Sequence, residues 1–375
     1  MNILVFSWRD PKHPLAGGAE QVMHEHMKGW VSAGHKVTLF ASYFKGAKKE
    51  DVVDGVKILR RGCQLGGVHI SAFIWYIFKN KKKYDLVIDQ FHGIPFFTPL
   101  YVQQSKLAIL QEIAREVWFK NQLPFPFNWL IGTLGYMIEP LVFHLYKNVP
   151  FMVGSNSAKE ELVRIMHIPE NNITIVPHGV VVIKPTTFFG KNKVKTITFL
   201  GALAKDKGIE DALQAFSILN KRGNFQFWVI GKAGDSYNDF LVNLAFRLGF
   251  KKNVTFWGFV DQKKKFELLA KSHILINPSF REGWGLVNIE ANSIGVPVVA
   301  YSSPGLIDSV KNGESGILVK ENSPEKLVEA IMEILEDEEK YKLLQAGALL
   351  WRKNFSWEKS KQKSLTLINN IVNRF

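Results

Sequence analysis

Short apolar runs alternate with longer segments of helical periodicity along the whole chain. The runs are Ile3–Ser7, Lys36–Ala41, Leu86–Asp89, Phe151–Val153, Ile173–Val176, Thr196–Leu200, Phe225–Ile230, Val254–Trp257, Ile274–Asn277 and Val298–Ala300. They are rich in Val, Ile and Phe and show no clean alternation of apolar and polar positions, which is typical of strands buried on both faces of a parallel sheet. The segments between them, such as Glu210–Arg222 and Pro324–Glu336, are long enough for crossover helices. The pattern predicts an α/β fold.

The strand–helix pattern occurs twice, and a stretch containing lysine, proline and glycine, Lys184–Lys195, lies between the two copies. We therefore expect two Rossmann-like, doubly wound domains, residues 1–180 and 181–355, that face each other across a cleft. A helix within residues 356–375 is expected to cross back to the first domain. Ligands of such sheets bind beyond the carboxyl ends of the strands, so functional motifs should follow strands directly.

Composition and charge narrow the class of protein. The chain of 375 residues is 46% hydrophobic and 22% charged, which is ordinary for a globular protein with room for two cores. Its net charge of +14 is spread over both halves and favours phosphorylated ligands or an anionic membrane surface. Nucleic acid is not expected, because no nucleic-acid-binding signature or zinc-ligand spacing accompanies the charge. The single cysteine, Cys63, excludes an internal disulfide and favours the cytoplasm.

The strongest motif is Phe280–Ala291, which follows the apolar run Ile274–Asn277. Gly283 and Gly285 would let the backbone approach a ligand closely. A helix that begins near Leu286 would offer free N–H groups to a phosphate.

Two carboxylates flank this glycine-rich loop. Glu282 lies on the loop, and Glu290 lies about one turn into the predicted helix. Together they could accept hydrogen bonds from hydroxyl groups on either side of a bound diphosphate. The alternative is a glycine-rich turn that carries two solvated glutamates.

A second motif, Gly201–Gly208, follows the run Thr196–Leu200. Lys207 would stand at the end of that strand, where an ammonium group can bind a phosphate as a point charge. The alternative is that Lys205 and Lys207 are ordinary solvated lysines.

A third motif follows the first strand. Gly17 and Gly18 stand before Glu20 in a turn that is suited to a phosphate and opens a helix. The third glycine of the dinucleotide fingerprint is missing, so a simple turn is an equal alternative.

A fourth motif, Asp89–Gly93, places His92 after another predicted strand, where its ring or carbonyl group could bind a sugar hydroxyl. A packed or surface histidine is the alternative. The sequence has no Asp-x-Asp pair, P-loop, Gly-x-Ser-x-Gly elbow or paired-histidine zinc motif. We therefore expect neither a metal ion nor a further cofactor.

The order and spacing of these motifs resemble those of glycosyltransferases with the GT-B fold, in the large retaining group called family four. The resemblance covers nearly the whole chain. Its further elements are Val153–Leu162, Val176–Val180, Trp257–Val260, Gly295–Ala300 and Asn312–Gly316.

The resemblance implies a donor site for a nucleotide-diphosphate sugar. It places Glu290 at the donor ribose, and Glu282 with the backbone of Gly283, Trp284, Gly285 and Leu286 at the transferred sugar and its diphosphate. Gly201 and Lys207 would contact a phosphate, and Phe259 and Val260 would lie near the base. From the opposite domain, Gly17 and Gly18 would contact the diphosphate and His92 the donor sugar.

The implied reaction is a metal-independent hexosyl transfer by front-face displacement, with retention of configuration. Lys207 and helix-terminal amides would stabilise the charge that develops on the leaving diphosphate. A phosphate oxygen of the leaving group would take the acceptor proton, so neither Glu282 nor His92 is assigned as a general base.

The sequence departs from the family pattern at two positions. Ala202 stands where the family usually has an arginine that contacts the donor phosphate, and His178 replaces the asparagine of the usual Pro-Asn-Gly. The missing arginine leaves open a catalytically silent nucleotide-sugar-binding protein. A sugar phosphorylase or epimerase of the same fold is a further alternative.

The acceptor is expected on the first domain, in His69–Lys83 and Phe96–Lys147. These segments combine aromatic residues with lysines, which suits a lipid-linked acceptor at an anionic membrane surface. The aromatic and basic residues concerned are Phe73, Trp75, Tyr76, Phe78, Lys79, Lys81, Lys82, Lys83, Trp118, Phe119, Phe125, Phe127 and Trp129. The alternative is that the aromatics are helix core and the lysines are merely solvated.

Overall fold

A computed structural model of the chain describes residues 1–64, 66–79, 83–91, 93–120, 126–180 and 190–373. It divides into two compact units. The first comprises Met1–Gly179 with Ser356–Phe375, and the second comprises Val180–Phe355. Four positions singled out in the sequence, His92, Lys81, Lys82 and Phe125, lie outside the described residues, as does the first half of Lys184–Lys195.

The described part of the first unit contains an eight-stranded sheet in the order β3-β4-β2-β1-β5-β6-β7-β8. All neighbouring pairs are parallel except β3 and β4. The strands are β1 (Asn2–Phe6), β2 (Lys36–Ala41), β3 (Glu50–Val53), β4 (Val56–Arg60), β5 (Leu86–Gln90), β6 (Ser105–Leu110), β7 (Phe151–Val153) and β8 (Ile173–Ile175). The connecting helices are α1 (Gly18–Ser32), α2 (Gly67–Lys79), α3 (Phe127–Leu145) and α4 (Asn156–Arg164).

Both faces of this sheet are covered, as the apolar runs predict. Along β1, Ile3 and Val5 belong to one hydrophobic cluster, whereas Leu4 and Phe6 belong to another. Burial on both faces explains why the run shows no alternation.

Strands β3 and β4, which the apolar pattern does not single out, form an antiparallel hairpin at the edge of the sheet. Asp54 and Gly55 connect them with positive φ angles of 50° and 80°, as a tight hairpin turn requires. The Asp-Gly pair is the sequence signal for this turn.

The described part of the second unit holds a six-stranded sheet in the order β11-β10-β9-β12-β13-β14, parallel throughout. The strands are β9 (Lys195–Leu200), β10 (Phe225–Ile230), β11 (Val254–Gly258), β12 (Ile274–Asn277), β13 (Val298–Tyr301) and β14 (Gly316–Val319). The helices are α5 (Ile209–Asn220), α6 (Asp235–Arg247), α7 (Gln262–Lys271), α8 (Leu286–Asn292), α9 (Leu306–Ser309), α10 (Pro324–Leu335) and α11 (Glu338–Trp351).

The second sheet has the strand order of a doubly wound Rossmann domain, in which the first strand lies between the second and the fourth. The two predicted Rossmann-like, parallel α/β folds are therefore present. Helix α10 is capped by Ser323, whose hydroxyl accepts a hydrogen bond from the Lys326 backbone N–H at 3.3 Å.

The C-terminal helix α12 (Trp357–Asn373) belongs to the first unit and packs against α1. The Ser364 hydroxyl lies 3.0 Å from Nδ1 of His26 and accepts a hydrogen bond from the Trp30 indole at 3.1 Å. Ile368 and Ile371 join the hydrophobic cluster beneath the sheet.

Candidate functional site

Two of the sequence motifs meet where the second sheet reverses its strand order. Strands β9 and β12 are neighbours, and the connections that leave their carboxyl ends turn to opposite sides of the sheet. The motif with Lys207 follows β9, and the motif with Glu282 follows β12. Doubly wound sheets bind ligands at this switch point. In the first unit, Gly17 follows β1 and the motif of His92 follows β5. Strands β1 and β5 are likewise neighbours in their sheet.

The two loops of the second unit are joined directly. The Phe280 backbone N–H donates to the Asp206 carbonyl at 2.9 Å. Gly208 has a φ of 69°, and a Cβ atom there would collide with the Pro278 carbonyl. A glycine is therefore required to bring Lys207 beside the loop after β12.

Lys207 and Glu282 form an ion pair. The Lys207 Nζ lies 3.2 Å from Oε2 of Glu282, and the two side chains are 20% and 22% exposed. The same ammonium lies 3.6 Å from Asp206 Oδ2 and donates to the Arg281 carbonyl at 3.3 Å. The structure thus brings together two predicted site residues that are 75 positions apart in the chain (282 minus 207).

The loop after Glu282 is shaped by glycine. Gly285 has a φ of 78°, and a Cβ there would approach the Ser309 hydroxyl to 2.8 Å. Helix α8 begins at Leu286, the next residue. Trp284 is 6% exposed and packs edge-to-face on Phe355, with ring centroids 5.1 Å apart, so this side chain is part of the core.

Glu290 lies one turn into α8 and is paired with Lys265 of α7. The Lys265 Nζ lies 2.6 Å from Oε1 of Glu290, and the side chains are 14% and 18% exposed. The sequence motifs do not predict Lys265, since no local spacing links it to a carboxylate 25 residues away (290 minus 265). The pair depends on the packing of α7 against α8.

The remaining predicted positions of the second unit lie in turns after strands. Gly201 has a φ of 153° directly after β9, and the following Ala202 is exposed. Phe259, after β11, is 83% exposed, whereas Val260 is half-buried against a small cluster that includes Trp228.

In the first unit, Gly17 and Gly18 stand at the start of α1. The Gly17 N–H donates to Oε2 of Glu20 at 2.7 Å, and the Nε of Arg9 lies 3.2 Å from Oε1 of the same carboxylate. Glu20 is buried. Through this ion pair Arg9 places a cation beside the glycine turn, and no sequence motif had indicated Arg9.

The segment that follows β5 is anchored by a buried carboxylate. Asp89 accepts hydrogen bonds from the backbone N–H groups of Phe96 and Thr98, from the Thr98 hydroxyl and from the Tyr146 hydroxyl. Burial raises the pKa of Asp89. Phe96 and Thr98 are thereby tied to β5, whereas His92 lies outside the described residues.

His178 is a packing residue. Its Nε2 lies 2.9 Å from Oε1 of Gln111, and a Cβ at Gly154 would approach the same nitrogen to 2.5 Å. Burial lowers the pKa of His178 to about 4, so the ring is neutral at physiological pH.

No group of three or more His, Cys, Asp or Glu side chains is arranged to hold a metal ion in the parts of the chain that the structure covers. None of the helices in those parts combines the length and the apolar character needed to cross a bilayer.

Comparisons with known proteins give the family. Residues 186–350 match the profile of glycosyl transferases group 1, and residues 16–182 match that of glycosyltransferase family 4. An uncharacterized glycosyltransferase of Methanocaldococcus jannaschii is 28% identical, with 90% of each chain covered.

Solved structures share the fold over the full chain. Sucrose-phosphate synthase from Thermosynechococcus elongatus superposes with a TM-score of 0.81 at 19% identity, covering 100% of both chains. HepE of Anabaena, solved with UDP and glucose, has a TM-score of 0.72 at 15% identity and covers 99% of this chain and 100% of its own. The fold is thus GT-B, and two family profiles together span most of the sequence. The chain therefore belongs to the group 1 glycosyltransferases of the family-four type.

Proposed function

We propose that the protein transfers a hexose from a nucleoside-diphosphate donor to an acceptor hydroxyl, with retention of configuration. The observation that carries the proposal is the meeting of Lys207 and Glu282 at the switch point of the second sheet. A cation and a carboxylate side by side match the two parts of the donor, its diphosphate and its sugar hydroxyls.

Lys207 is proposed to bind the diphosphate. Its ammonium is held by Glu282, by Asp206 and by the Arg281 carbonyl, so its position is set before a ligand arrives. As the bond to the sugar breaks, negative charge grows on the leaving diphosphate, and a cation fixed beside it stabilises the transition state more than the ground state.

The glutamates are proposed to bind different parts of the donor. Glu282, beside Lys207, would accept hydrogen bonds from hydroxyls of the transferred sugar. Glu290, one turn into α8, would accept them from the ribose, with Lys265 holding the other side of its carboxylate. Phe259, which is exposed directly after β11, is proposed to cover the base.

The proposed reaction needs no general base from the protein. The bond between the anomeric carbon and the diphosphate oxygen breaks, and the acceptor oxygen forms the new bond on the same face. The acceptor proton passes to an oxygen of the leaving diphosphate. The site residues then need only bind the donor, orient it and stabilise charge.

UDP-glucose is the first donor to test, since the HepE structures contain UDP, UDP with glucose, and UDP-glucose. Calorimetric binding of UDP and initial rates of transfer or donor hydrolysis should be measured together for the wild type, Glu282→Gln and Glu290→Gln. A hydrogen bond to a charged group contributes about 1.5–3 kcal/mol. Glu290→Gln should therefore weaken UDP binding by roughly 10- to 150-fold.

Glu282→Gln should leave UDP binding nearly unchanged and lower transfer, because UDP carries no transferred sugar. Identical profiles for the two variants would contradict the assignment. UDP-glucose binding with neither transfer nor hydrolysis would instead favour a silent binding protein, the alternative that Ala202 suggests. If no UDP binding is seen, the same experiment is repeated with other nucleoside diphosphates.

Metal independence is part of the proposal, because Lys207 supplies the positive charge and the sequence has no Asp-x-Asp pair. Transfer rates in chelator and in magnesium should agree within about threefold, a margin of less than 1 kcal/mol in the barrier. Loss of activity in chelator that added magnesium restores would contradict this part.

A lipid-linked acceptor at an anionic membrane surface is supported by helix α3. Its outward face is apolar and exposed over the whole helix, with Leu134 57%, Met137 67% and Leu141 68% exposed. The further exposed apolar residues on the helix are Phe127, Trp129, Leu130, Ile131, Ile138 and Leu145. An exposed apolar face of this size marks an interaction surface, and it suits a helix that lies at the bilayer interface.

The inward side of α3 is held by the short 3₁₀ helix Arg115–Lys120. Gly132 and Gly135 leave room for the rings of Phe119 and Trp118, and the buried Glu139 accepts the Ala114 N–H at 2.6 Å and the Arg115 N–H at 2.8 Å. The polar and aromatic groups of that side are therefore engaged, and the apolar face points away from them.

Liposome sedimentation tests this part. The wild type should bind vesicles containing anionic lipid, and binding should weaken with salt because the net charge is +14. The double variant Leu134→Ser, Leu141→Ser should lower the partition at least about tenfold, since each buried leucine contributes about 1.5–3 kcal/mol. Leu343→Ser, at a 73% exposed position on α11, is the control and should bind like the wild type. Equal binding by all three proteins, or a stable dimer that α3 variants dissolve, would contradict a membrane surface.

A further inference from the structure

A chain of buried hydrogen bonds leads from Glu282 into the second domain. The Ser279 hydroxyl lies 3.1 Å from Oε1 of Glu282 and 2.8 Å from Oδ1 of Asn277. The Asn277 amide donates to Oδ1 of Asn288 at 2.9 Å, and the Asn288 amide donates to the Ser309 hydroxyl at 2.9 Å. Ser279, Asn277, Asn288 and Ser309 are each between 0% and 4% exposed, so the chain is closed to water.

The two asparagines and Ser309 all donate in the direction away from Glu282. Asn277 donates to Asn288, Asn288 donates to Ser309, and Ser309 donates to the Leu306 carbonyl at 3.3 Å. Each asparagine therefore presents its carbonyl oxygen towards Glu282. On Asn277, that oxygen accepts the Ser279 backbone N–H at 3.3 Å.

The Ser279 hydroxyl has one proton and two acceptors within reach. One is the neutral amide oxygen of Asn277, which already accepts a backbone N–H, and the other is the carboxylate of Glu282. Hydrogen bonds to a charged acceptor are roughly twice as strong as those between neutral groups. The hydroxyl proton is shared between these two acceptors, and the carboxylate is the stronger one. The Ser279 backbone N–H keeps the residue bonded to Asn277 in either case.

We infer that Ser279, Asn277 and Asn288 are positioning residues that fix the carboxylate of Glu282 for the transferred sugar. With Oε1 held by Ser279 and Oε2 held by Lys207, neither carboxylate oxygen is free to rotate away. This inference rests on the proposed role of Glu282 as the ligand of the transferred sugar. It adds residues that touch neither donor nor acceptor and act through Glu282.

A purely structural role does not account for the arrangement. Two buried asparagine side chains carry a desolvation cost that apolar residues of similar volume would avoid. The chain also ends at Glu282, its one member with substantial exposure, at 22%. A buried hydrogen-bonded network of this kind restricts the position of its terminal group.

The test compares Ser279→Ala with Ser279→Thr, which keeps the hydroxyl group. Ser279→Ala should lower the rate of transfer from UDP-glucose about tenfold or more, the effect of one hydrogen bond to a charged group, while the Kd for UDP stays within about twofold. Ser279→Thr should recover most of the rate. The Kd for UDP also reports that the second domain is folded, since Glu290 and Lys207 lie in that domain.

Ser217→Ala is the matched control. Ser217 is a buried serine on α5 that donates to the Leu248 carbonyl at 3.2 Å and lies outside the chain of hydrogen bonds. This variant loses a comparable hydrogen bond and should transfer like the wild type.

A second variant, Asn277→Asp, keeps the Ser279 hydroxyl but offers its proton a competing carboxylate. It should lower transfer and again spare UDP binding. The double variant Glu282→Gln, Ser279→Ala should be no slower than Glu282→Gln alone, because both changes act on one carboxylate.

The outcomes separate this inference from the proposed function. If Glu282→Gln lowers transfer but Ser279→Ala does not, the positioning role is wrong and the donor site stands. If Ser279→Ala weakens UDP binding as much as it slows transfer, the chain is structural and the inference also fails. If Glu282→Gln itself leaves transfer unchanged, the proposed function is at fault.

Discussion

The ammonium nitrogen of Lys265 lies 2.6 Å from Oε1 of Glu290, and the two side chains are 14% and 18% exposed. A pair this close and this shielded from water fixes the direction of the glutamate carboxylate. In the proposed donor site Glu290 binds the ribose, so Lys265 would act on nucleotide affinity through its partner.

Lys265→Met should weaken UDP binding about two- to tenfold, less than Glu290→Gln, because the lysine orients the carboxylate but does not itself bind the ribose. The double variant Lys265→Met, Glu290→Gln should be no weaker than Glu290→Gln alone. Calorimetry of UDP on the four proteins measures both statements. Additive losses would show that Lys265 binds the nucleotide independently of Glu290.

Lys207→Ala should lower both UDP affinity and the rate of transfer, and the rate more, because the charge it meets grows as the bond breaks. Ala202 is exposed just after β9, and its side chain carries no charge. Ala202→Arg in the Lys207→Ala background would supply a positive charge there and should recover part of the loss. Binding and initial rates are measured for the single and double variants. An unaltered rate for Lys207→Ala would contradict the donor site.

His26 should make the stability of the first domain depend on pH. Burial, with smaller effects from the nearby charges of His178 and Lys361, lowers the pKa of His26 from 6.5 to about 3. Burial likewise lowers the pKa of His178 to about 4. Below pH 6.5 the unfolded chain binds a proton at His26 that the folded domain does not bind, so protonation favours unfolding. The contribution of neutral His26 to the stability of the domain is therefore complete above pH 6.5 and is lost as the pH falls towards 3.

The measurement is the free energy of unfolding of the wild type and of His26→Gln between pH 7.5 and 4.5. Well below pH 6.5, each such histidine adds a slope of about 1.4 kcal/mol per pH unit. Below about pH 6 the variant should therefore show a slope shallower by roughly that amount, and above pH 7 the two curves should run parallel. Parallel curves over the whole range would show that His26 does not resist protonation.

Gly208→Ala should destabilise the second domain more than Gly313→Ala. Both glycines have positive φ angles, 69° and 77°, so both variants carry the cost of the left-handed backbone, about 1–2 kcal/mol. A Cβ at Gly208 would also collide with the Pro278 carbonyl, whereas Gly313 faces open space. The difference between the two, about 1–3 kcal/mol in urea unfolding, measures how tightly the two loops of the donor site are packed. Equal effects would mean that the loops can separate.

The sequence by itself determined the architecture and the positions of the motifs. Apolar runs without alternation, such as Ile274–Asn277, report burial on both faces of a parallel sheet, and that is a local property of a strand. The glycines around Glu282 and before α5 report backbone conformations that are likewise local. Because ligands of doubly wound sheets bind after the strands, these local signals were enough to predict which segments form the candidate donor site.

Only the tertiary structure decided which charged groups meet. Lys207 pairs with Glu282 because β9 and β12 are neighbours in the sheet, and Lys265 pairs with Glu290 because α7 packs on α8. Strand order and helix packing bring together residues that are far apart in the chain. The periodicity of the sequence does not indicate which residues form such pairs. The buried asparagines of β12 and α8 were missed for the same reason, since a polar residue within an apolar stretch does not reveal its partner.

The exposure of α3 was likewise decided by tertiary structure. Its hydrophobic sequence fits a core helix as well as a surface one, because hydropathy measures the cost of contact with water and not whether that contact occurs. Among the residues that the sequence analysis grouped together, Tyr76 is fully buried, whereas Phe78 is 76% and Trp129 61% exposed. The difference arises from which face of each helix is covered, by the sheet for α2 and by the 3₁₀ helix Arg115–Lys120 for α3.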